Sequence, residues 1–331
     1  MTDQPRINLI QAVNQALHHA MADDERVLVL GEDVADKEGG GVFGVTKGLS
    51  QAYGTGRVRS TPIAEQAIIG AAIGAALKGR RPVAEIMLMN FTAVAMDMLT
   101  NHAAKLRFMS GGQTHVPMVV RTSTGVGIGS GGQHSDYLEA WFAHTPGLKV
   151  VAPSTPEDAY GLMRAAIDDP DPVIFIENIS TYWKKGAAPQ AGHRVPLGKA
   201  AVVRPGKDLT VITYSRLVWE ALAAAEAVAA EGMDVEVIDL RTISPWDRAT
   251  VMASVERTGR AIVVHEAVRE FGIGAELAAE INETLFGRLK APVSRLGGAF
   301  APVPFSKPLE TEYAPTAARI AEAIRRSIQH K

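Results

Sequence analysis

The chain has 331 residues, of which 47% are hydrophobic and 21% are charged, and its formal net charge is −2. This balance is typical of a soluble globular enzyme and excludes a large polyanion-binding surface, so we expect no nucleic-acid partner. The sequence contains no cysteine, which excludes disulfides, thiolate catalysis and cysteine-ligated metals.

The first residues, MTDQPRINLIQAVNQ, do not have the basic and apolar segments of a secretory signal. No apolar window approaches the roughly 20 residues of a membrane span. We therefore expect a cytoplasmic protein without a membrane contact. The length predicts about two domains, each long enough to bury a hydrophobic core.

Short apolar runs alternate with longer helical patterns along the first half of the chain. This alternation predicts an α/β fold built on parallel sheets. The predicted strands are 26–31, 81–88, 116–122, 148–153 and 172–178. The predicted helices between them are 62–78, 91–109 and 155–168.

The periodic pattern stops in a stretch rich in glycine, proline and basic residues, and then resumes. We interpret residues 186–199 as a linker between a first domain, 1–185, and a second domain, 200–331. The predicted strands of the second domain are 208–214, 234–240, 260–266 and 292–298. Its predicted helices lie near 216–231, 245–257, 274–286 and 314–328.

Two long connections follow predicted strands of the first domain. About thirty residues separate the first strand from the helix at 62, and the second connection is STGVGIGSGGQHSD, residues 123–136. Ligands of open α/β sheets bind beyond the carboxyl ends of the strands, so both connections are candidates for a functional site.

The second connection contains a formal match to the G-x-G-x-x-G pattern at residues 127–132. In dinucleotide-binding enzymes the backbone of such a loop approaches a pyrophosphate at a helix N-terminus. The acidic residue expected about 20 positions later at the end of a strand is missing here. An NAD-dependent dehydrogenase is therefore one alternative, and a flexible active-site or interface loop is the other.

His134 follows these glycines directly. A histidine at the end of a glycine-rich loop is free to face a ligand and is suited to proton transfer near neutral pH. A histidine that only caps the following helix is the competing interpretation. Four other histidines are less suited to such a role, namely His102, His115, His144 and His265.

Glu65 lies in the first turn of a helix with few other polar residues. The pattern predicts Thr61 as the N-cap and Pro62 as the first helical residue, so Glu65 would complement the helix dipole by about 0.3–1 kcal/mol. The helix is apolar on every face, so we expect it to be buried all round. A carboxyl group at the mouth of such a helix needs a hydrogen bond or a raised pKa, which makes it a functional candidate.

Eight segments together resemble the beta subunit of the thiamine-diphosphate-dependent 2-oxo acid dehydrogenase component, a family that includes the pyruvate, branched-chain and acetoin dehydrogenase complexes. The resemblance runs in order along nearly the whole chain. The segments are GEDV (31–34), GGVFGVTKGL (40–49), TPIAEQAIIGAAIGAAL (61–77), NHAAKLRFMSGG (101–112), GQHS (132–135), PGLKVVAPSTPEDAYGL (146–162), EVIDLRTISPWD (236–247) and PVPFSKPLE (302–310).

The resemblance implies a transketolase-like fold with a pyrimidine-binding domain and a transketolase C-terminal domain. It implies a heterotetramer of two alpha and two beta subunits, with thiamine diphosphate at each alpha–beta interface and Mg²⁺ held by the alpha subunit. Together the subunits would decarboxylate a 2-oxo acid, or cleave acetoin, and transfer the acyl group to a lipoyl acyltransferase component.

The resemblance also implies roles for individual residues. Glu65 matches the glutamate that hydrogen-bonds a ring nitrogen of the aminopyrimidine and promotes its imino tautomer. Phe91 matches the aromatic residue that packs on the pyrimidine ring, and Glu32 matches a residue near the cofactor. His134 matches the histidine that orients the substrate and assists reductive acylation of the lipoyl group.

Some family members bind a structural K⁺, and the matching positions in this sequence are Ala166, Ile167, Asp169 and Asp171. The ligands would be chiefly backbone carbonyls. Two departures from the family pattern, Ser60 in place of a common Asp and Met98 in place of a common Gln, lie on elements expected to contact another subunit.

The C-terminal segment GGAFAPVPFSKPLETEY is more similar to the acetoin and pyruvate branch, so pyruvate or acetoin is the expected substrate. A branched-chain 2-oxo acid dehydrogenase beta subunit is an alternative. A third alternative is a non-catalytic scaffold subunit that assembles and docks partners.

Overall fold

The computed structural model describes residues 5–330, which divide into two compact units. Unit 1 comprises residues 5–124 and 141–197, and unit 2 comprises residues 125–140 and 198–330. Within residues 5–330, no helix is long and apolar enough to cross a membrane.

Parallel α/β architecture accounts for most of both units, as the alternating sequence pattern predicts. The strands are β1 (Arg6–Asn8), β2 (Val27–Gly31), β3 (Val58–Ser60), β4 (Arg81–Leu88), β5 (Val119–Thr124), β6 (Lys149–Val151), β7 (Val173–Asn178), β8 (Lys185–Ala187), β9 (Ala201–Arg204), β10 (Leu209–Thr213), β11 (Val235–Asp239), β12 (Thr242–Ser244), β13 (Ala261–Val268) and β14 (Ser294–Gly298).

Twelve α-helices lie between these strands or at the end of the described residues, and several of them are short. They are α1 (Leu9–Asp23), α2 (Leu49–Tyr53), α3 (Glu65–Leu77), α4 (Leu106–Met109), α5 (Gly132–Ser135), α6 (Glu139–Ala143), α7 (Pro156–Asp168), α8 (Leu217–Ala229), α9 (Arg248–Thr258), α10 (Ile273–Leu285), α11 (Lys307–Tyr313) and α12 (Ala317–Gln329).

Six strands of unit 1 form one sheet in the order β6-β7-β5-β4-β2-β3, and all neighbouring pairs are parallel. Every residue of β5 and β7 is buried, because helices cover both faces of a parallel sheet. β1 and β8 form a separate antiparallel pair. The five strands predicted for this part of the sequence correspond to β2, β4, β5, β6 and β7, which confirms the predicted fold class.

Two well-capped helices of unit 1, α1 and α7, pack against each other. Asn8 and Gln11 form a reciprocal capping box at the start of α1. At the start of α7, the Thr155 side chain accepts a hydrogen bond from the Asp158 N–H group, and Pro156 occupies the first turn. The start signal that predicted a helix at 155–168 is therefore correct.

The predicted start of α3 at Thr61 and Pro62 is wrong. The Thr61 N–H group donates to the carbonyl of Gly31 at 2.9 Å, which continues the pairing with β2 and keeps this segment extended. The helix begins at Glu65 instead, after Ala64, whose side chain makes no capping hydrogen bond. One face of α3, formed by Ala67, Ala71 and Gly74, is exposed, so this helix is not buried all round within the chain.

The predicted helix at 91–109 is also interrupted. A 3₁₀-helix covers Met89–Ala95, a π-helix covers Met98–Ala103, and α4 follows. The Thr92 hydroxyl donates to the Met89 carbonyl at 2.6 Å, which satisfies a backbone acceptor in the tighter turn. The spacing of apolar residues therefore predicted that this segment is helical, but local hydrogen bonds determined which kinds of helix it forms.

Unit 2 contains a five-stranded sheet in the order β14-β13-β10-β11-β9. The pairs are parallel except for β9, which pairs antiparallel with β11 at the sheet edge. α8 and α12 pack together against this sheet around a core of aliphatic side chains. The four strands predicted for 200–331 are present, whereas the partly exposed β9 has no apolar run and the sequence pattern missed it.

The structure distributes two segments differently from the predicted domains. Residues 125–140 cluster with unit 2, because their hydrogen-bond partners lie there. Most of the predicted linker, residues 186–199, packs on unit 1, where Val195 is 4% exposed. The functional division into domains stays a prediction.

His265 is enclosed in the core of unit 2 by three glycines. Its Nδ1 lies 3.0 Å from the Ala267 carbonyl, and its Nε2 has no hydrogen-bond partner among the described residues. A Cβ atom on Gly272, Gly274 or Gly297 would lie 2.6–2.8 Å from the imidazole ring. His265 is therefore a packed core residue, and the lower rank that the sequence assigned to it as a functional candidate is consistent with this position.

We expect His265 to make unit 2 sensitive to acid. Burial lowers the pKa of His265 from 6.5 to about 4. Because the pKa is lower in the folded state, the folded state favours the neutral imidazole. The stability that unit 2 gains from the neutral imidazole is present above pH 6.5 and is lost as the pH falls towards 4. Over that interval the loss should reach about 3 kcal/mol.

The measurement is the free energy of unfolding from urea titrations across this pH range. An H265Q variant should show a weaker dependence on pH than the wild type, whereas H144Q, at an exposed histidine, should show the wild-type dependence. Equal pH dependence of the wild type and H265Q would contradict the assignment.

Candidate functional site

Three neighbouring strands of unit 1 carry candidate residues to one edge of the sheet. β2 lies between β3 and β4, and all three run in the same direction. Glu32 follows β2 directly, Glu65 opens the helix after β3, and Phe91 lies three residues beyond β4. The structure therefore places Glu32, Glu65 and Phe91 at the carboxyl edge of the sheet, where α/β folds bind ligands.

Glu32 is a buried carboxyl group with an unsatisfied oxygen. It is 7% exposed, and its Oε1 has no hydrogen-bond partner within the described chain. Burial raises its pKa, and the negative charges of Glu65, Asp33 and Glu85 raise the pKa further. Such a group is costly to bury unless a partner from outside the chain supplies a donor or a proton.

Glu65 is the first residue of α3 and is 8% exposed. It lies at a helix N-terminus, whose unpaired N–H groups carry a partial positive charge. Two buried carboxyl groups thus lie near each other at this edge, because the charge of Glu65 is one cause of the raised pKa of Glu32. The unpaired oxygen of Glu32 fits a ligand that presents hydrogen-bond donors, which the aminopyrimidine of thiamine diphosphate does.

Phe91 provides a half-buried aromatic side chain at the same edge of the sheet. It lies in the 3₁₀-helix after β4, between the buried Met89 and Thr92, and α3 packs against this 3₁₀-helix. A ring at this position supplies an apolar surface at the edge that carries the two carboxyl groups. That combination suits a flat heteroaromatic ligand with polar edges.

A buried ion network beneath this edge was missed by sequence reasoning. Arg121 in β5 forms ion pairs with Glu85 in β4 and Glu177 in β7, and its Nη2 lies 3.0 Å from Glu177 Oε2. All three side chains are nearly inaccessible, and burial raises the pKa of Glu85. The available signal was one charged residue inside each of three predicted buried strands.

The long connection after β2 folds over this network. Gly41, at φ +80°, lies beside Glu85, and a Cβ atom there would be in ordinary van der Waals contact with Glu85 Oε1 at 3.5 Å. Asp36 holds the loop by accepting hydrogen bonds from the Gly48 N–H, the Ser50 hydroxyl and the Gln51 N–H. The prediction that this connection has a function stays a prediction, but its backbone is ordered by specific contacts.

The two departures from the family pattern have local roles in the chain. Ser60 accepts a hydrogen bond from the Ala35 N–H at 3.0 Å and donates to Glu38 at 3.0 Å, so it ties β3 to the long connection. Met98 is half-buried in the π-helix and faces Gly70 of α3. Their effect on assembly stays a prediction.

His134 lies in unit 2, whereas Glu32, Glu65 and Phe91 lie in unit 1. It is half-buried in the single-turn helix α5, and its backbone N–H group donates to the Gly131 carbonyl at 3.2 Å. The competing interpretation is a histidine that only caps a helix. The helix at this position, α5, is only four residues long.

The glycine loop at residues 127–132 does not offer a free pyrophosphate site. The N–H groups of Gly127 and Gly129 both donate to Glu310 Oε1, at 2.6 and 3.3 Å. An internal carboxylate thus uses the donors that a dinucleotide would need, and the following helix is only four residues long. The dinucleotide-binding alternative is therefore wrong for this loop.

The four residues predicted to hold K⁺ lie together at the end of α7, but their carboxylates are already paired. Lys149 Nζ lies 2.7 Å from both carboxylate oxygens of Asp169, and Arg107 Nη1 lies 2.7 Å from both oxygens of Asp171. The Ile167 carbonyl accepts a hydrogen bond from Arg81 at 2.6 Å, and the Ala166 carbonyl accepts one from the Asp169 N–H at 3.4 Å. Over the described residues, no group of three or more histidine or acidic side chains forms a metal site.

Family profiles match both parts of the chain. The profile described as "Transketolase, pyrimidine binding domain" covers residues 6–183, and "Transketolase, C-terminal domain" covers residues 198–320. Glu65, Phe91 and His134 all lie within the first match. Together the two matches span most of the sequence.

Curated relatives are similar over nearly their whole length. The chain is 44% identical, over 98% of both chains, to the acetoin:2,6-dichlorophenolindophenol oxidoreductase subunit beta of Cupriavidus necator. It is 43% identical to the mitochondrial pyruvate dehydrogenase E1 component subunit beta-2 of Oryza sativa, with 96% of this chain and 85% of the relative covered. It is 45% identical to the 3-methyl-2-oxobutanoate dehydrogenase subunit beta of Mycobacterium tuberculosis, with 98% and 92% covered.

Solved structures of low sequence identity share the fold. The inactive beta4 tetramer of a split-gene transketolase has a TM-score of 0.77 at 21% identity, with 98% of this chain and 99% of that chain covered. The transketolase of Leishmania mexicana has a TM-score of 0.73 at 18% identity, and the match covers 99% of this chain but 46% of the transketolase. The fold of this chain is thus transketolase-like.

Replacing Glu32 with Gln should stabilise the chain in the absence of ligand. The raised pKa of Glu32 means that folding favours its protonated form, so its charged form lowers stability progressively above its ordinary pKa. Removing the charge should therefore raise the melting temperature at neutral and alkaline pH and have less effect in acid.

The matched control is E25Q, which removes the charge of an exposed glutamate and should leave the melting temperature nearly unchanged. A melting temperature for E32Q below that of E25Q at neutral pH would show that Glu32 stabilises the unliganded chain and would count against this account of the site.

Proposed function

The chain belongs to the family of beta subunits of the thiamine-diphosphate-dependent 2-oxo acid and acetoin dehydrogenase complexes, and from that premise we propose that it is the beta half of a decarboxylating, acyl-transferring enzyme. The observation that carries the proposal is the pair of buried carboxyl groups, Glu32 and Glu65, at the carboxyl edge of the sheet, where Glu32 Oε1 has no hydrogen-bond partner among the described residues.

The enzyme is active only with an alpha subunit, in a heterotetramer of two alpha and two beta chains. The sequence contains no GDG motif with a downstream asparagine of the kind that holds magnesium diphosphate. The alpha subunit therefore provides the Mg²⁺ and diphosphate half of the site. The heterotetramer docks onto a lipoyl acyltransferase component, and we place this assembly in the cytoplasm.

When bound, thiamine diphosphate supplies the nucleophilic carbon that attacks the keto carbon of the substrate. Glu65 would hold the pyrimidine through a hydrogen bond between its carboxyl group and a ring nitrogen. Phe91 would pack against the pyrimidine face, and Glu32 lies close enough to Glu65 for the charge of Glu65 to raise the pKa of Glu32.

His134 contributes the second catalytic group. An imidazole exchanges protons near neutral pH, and it orients the substrate and assists transfer of the acyl group to the lipoyl arm. Its place at the end of a glycine-rich loop supports this role. The acyl unit comes from pyruvate or acetoin, which the C-terminal segment favours, and a branched-chain 2-oxo acid is the second candidate because relatives of all three kinds are 43–45% identical.

The K⁺ site at the end of α7 uses main-chain carbonyl oxygens rather than carboxylates. This arrangement follows from the pairing of Asp169 with Lys149 and of Asp171 with Arg107. An ion held there would connect α7 to the neighbouring strand and stabilise unit 1.

Replacing Glu65 with Gln should strongly lower turnover in the heterotetramer reconstituted with an alpha chain, thiamine diphosphate and Mg²⁺. The amide cannot share a proton with the pyrimidine, so turnover on pyruvate, acetoin and branched-chain 2-oxo acids should fall about a hundredfold or more. The control E157Q removes an exposed carboxylate and should retain wild-type turnover.

Near-normal turnover of E65Q at saturating cofactor would refute the role of Glu65. If an E65Q H134A double variant also assembled and turned over normally, the chain would instead act as a non-catalytic scaffold.

Potassium should raise the melting temperature of the chain relative to sodium and choline chloride at equal ionic strength, because a ligand that binds only the folded state stabilises it. The effect should persist in D171N, since the proposed ligand is the carbonyl of that residue and not its carboxylate. Equal melting temperatures in the three salts would argue against the site.

A further inference from the structure

The segment PVPFSKPLE, residues 302–310, lies against the glycine-rich loop that carries His134. We name residues 125–140 the His134 loop, and we name Glu266 and Glu310 the carboxylate clasp. We infer that the carboxylate clasp positions His134 by holding the backbone of the His134 loop. This inference deepens the proposed function and rests on the role proposed there for His134.

Glu310 binds the loop as an internal anion. It is 3% exposed in α11, and its Oε1 accepts hydrogen bonds from the N–H groups of Gly127 and Gly129. Gly127 has φ +106° and Gly129 has φ +70°, conformations that aim alternate N–H groups inward at low cost only for glycine. Charge-assisted bonds of this kind are about twice as strong as neutral ones.

Glu266 holds the residue before these glycines. Its Oε1 accepts the Val126 N–H group at 2.8 Å, and its Oε2 pairs with Arg216 Nε at 2.6 Å. Arg216 also pairs with Glu220, whose carboxylate accepts the Ala317 N–H group at the start of α12. Glu266 is therefore linked through Arg216 and Glu220 to α8 and α12 of unit 2.

The centre of the His134 loop is covered by apolar side chains of the same segment. A Cβ atom on Gly131 would lie 2.4 Å from the Phe305 ring, and one on Gly132 would lie 3.1 Å from Pro302 Cβ. Gly131 directly precedes the turn that contains His134, and Gly132 is the first residue of that turn. Phe305 and Pro302 thus limit where the backbone of that turn can lie.

The far end of the His134 loop is fastened by a separate contact. The Tyr214 hydroxyl donates to Glu139 Oε1 at 2.6 Å, and the Tyr214 ring packs 6.0 Å from the Tyr137 ring. Burial raises the pKa of Glu139 to about 7, and donation from Tyr214 offsets part of that rise. His134 is therefore held between two anchors that both belong to unit 2.

The physical need for the clasp comes from the composition of the loop. A segment with several glycines loses much conformational entropy when it adopts one structure, so an unanchored loop would present His134 in many positions. Reaction rates depend steeply on the position of a catalytic group. The clasp supplies fixed acceptors for successive N–H groups and so reduces this freedom before the substrate binds.

The first test measures the loop itself. Hydrogen exchange of the amides of residues 126–129 in the reconstituted heterotetramer should accelerate about tenfold in E310A, and less in E310Q, which keeps an acceptor oxygen but loses the charge. Exchange in β10 and β13 should stay at the wild-type rate, which shows that unit 2 remains folded. The control E312Q removes an exposed carboxylate from the same helix and should leave the loop unchanged.

The second test asks whether Glu310 acts through His134. Transfer of the acyl group to a lipoyl domain should fall in E310A by about tenfold or more. In an H134A background, E310A should cause no further loss, because two residues that act on one step are not additive. Cofactor affinity, measured by titration, should be the same in E310A and the wild type.

Three outcomes separate the two proposals. Unchanged exchange of residues 126–129 in E310A overturns the clasp. Losses that add in the E310A H134A double variant overturn action through His134. Wild-type acyl transfer by H134A overturns the role proposed for His134, and the exchange measurement identifies that failure as one of the proposed function and not of the clasp.

Discussion

Parallel pairing of β2 with β3 on one side and β4 on the other is the constraint on which the candidate site depends. Because the three strands run in one direction, the residues that follow them emerge at one edge of the sheet. The hydrogen bond from Thr61 to Gly31 extends this pairing beyond β3 and delays the helix until Glu65. The position of Glu65 at a helix mouth is thus a consequence of strand pairing and not of a capping residue.

Buried carboxyl groups in this chain fall into two classes with different physical meanings. Glu266 and Glu310 accept backbone N–H groups, and Glu85 and Glu177 share Arg121, so the cost of their burial is met within the chain. By contrast, Glu32 keeps an unsatisfied oxygen. Satisfied acids hold structure, whereas the unsatisfied oxygen of Glu32 at a sheet edge is suited to a ligand.

The glycine-rich loop illustrates how one motif supports different chemistry. Its pattern of glycines makes backbone N–H groups available to an anion, which is why it resembles a dinucleotide-binding loop. In this fold the anion is the side chain of Glu310, supplied by a segment almost two hundred residues later, at a sequence separation of 183 from Gly127. The N–H groups of the loop therefore donate to a side chain of the same protein, and these bonds fix the backbone that leads to His134.

The sequence by itself determined the strands with apolar runs, the start of α7 and the expected family, because apolar period and local capping depend on neighbouring residues. It also singled out Glu65, since an acid in an apolar helix stands out without any structure. It did not indicate the short strands β1, β3, β8, β9 and β12. Only the tertiary structure decided that α3 begins at Glu65, that Arg121 joins Glu85 to Glu177, and that Glu310 occupies the glycine loop. Each of these depends on residues far apart in the chain, and no local pattern records which distant donor meets which acceptor.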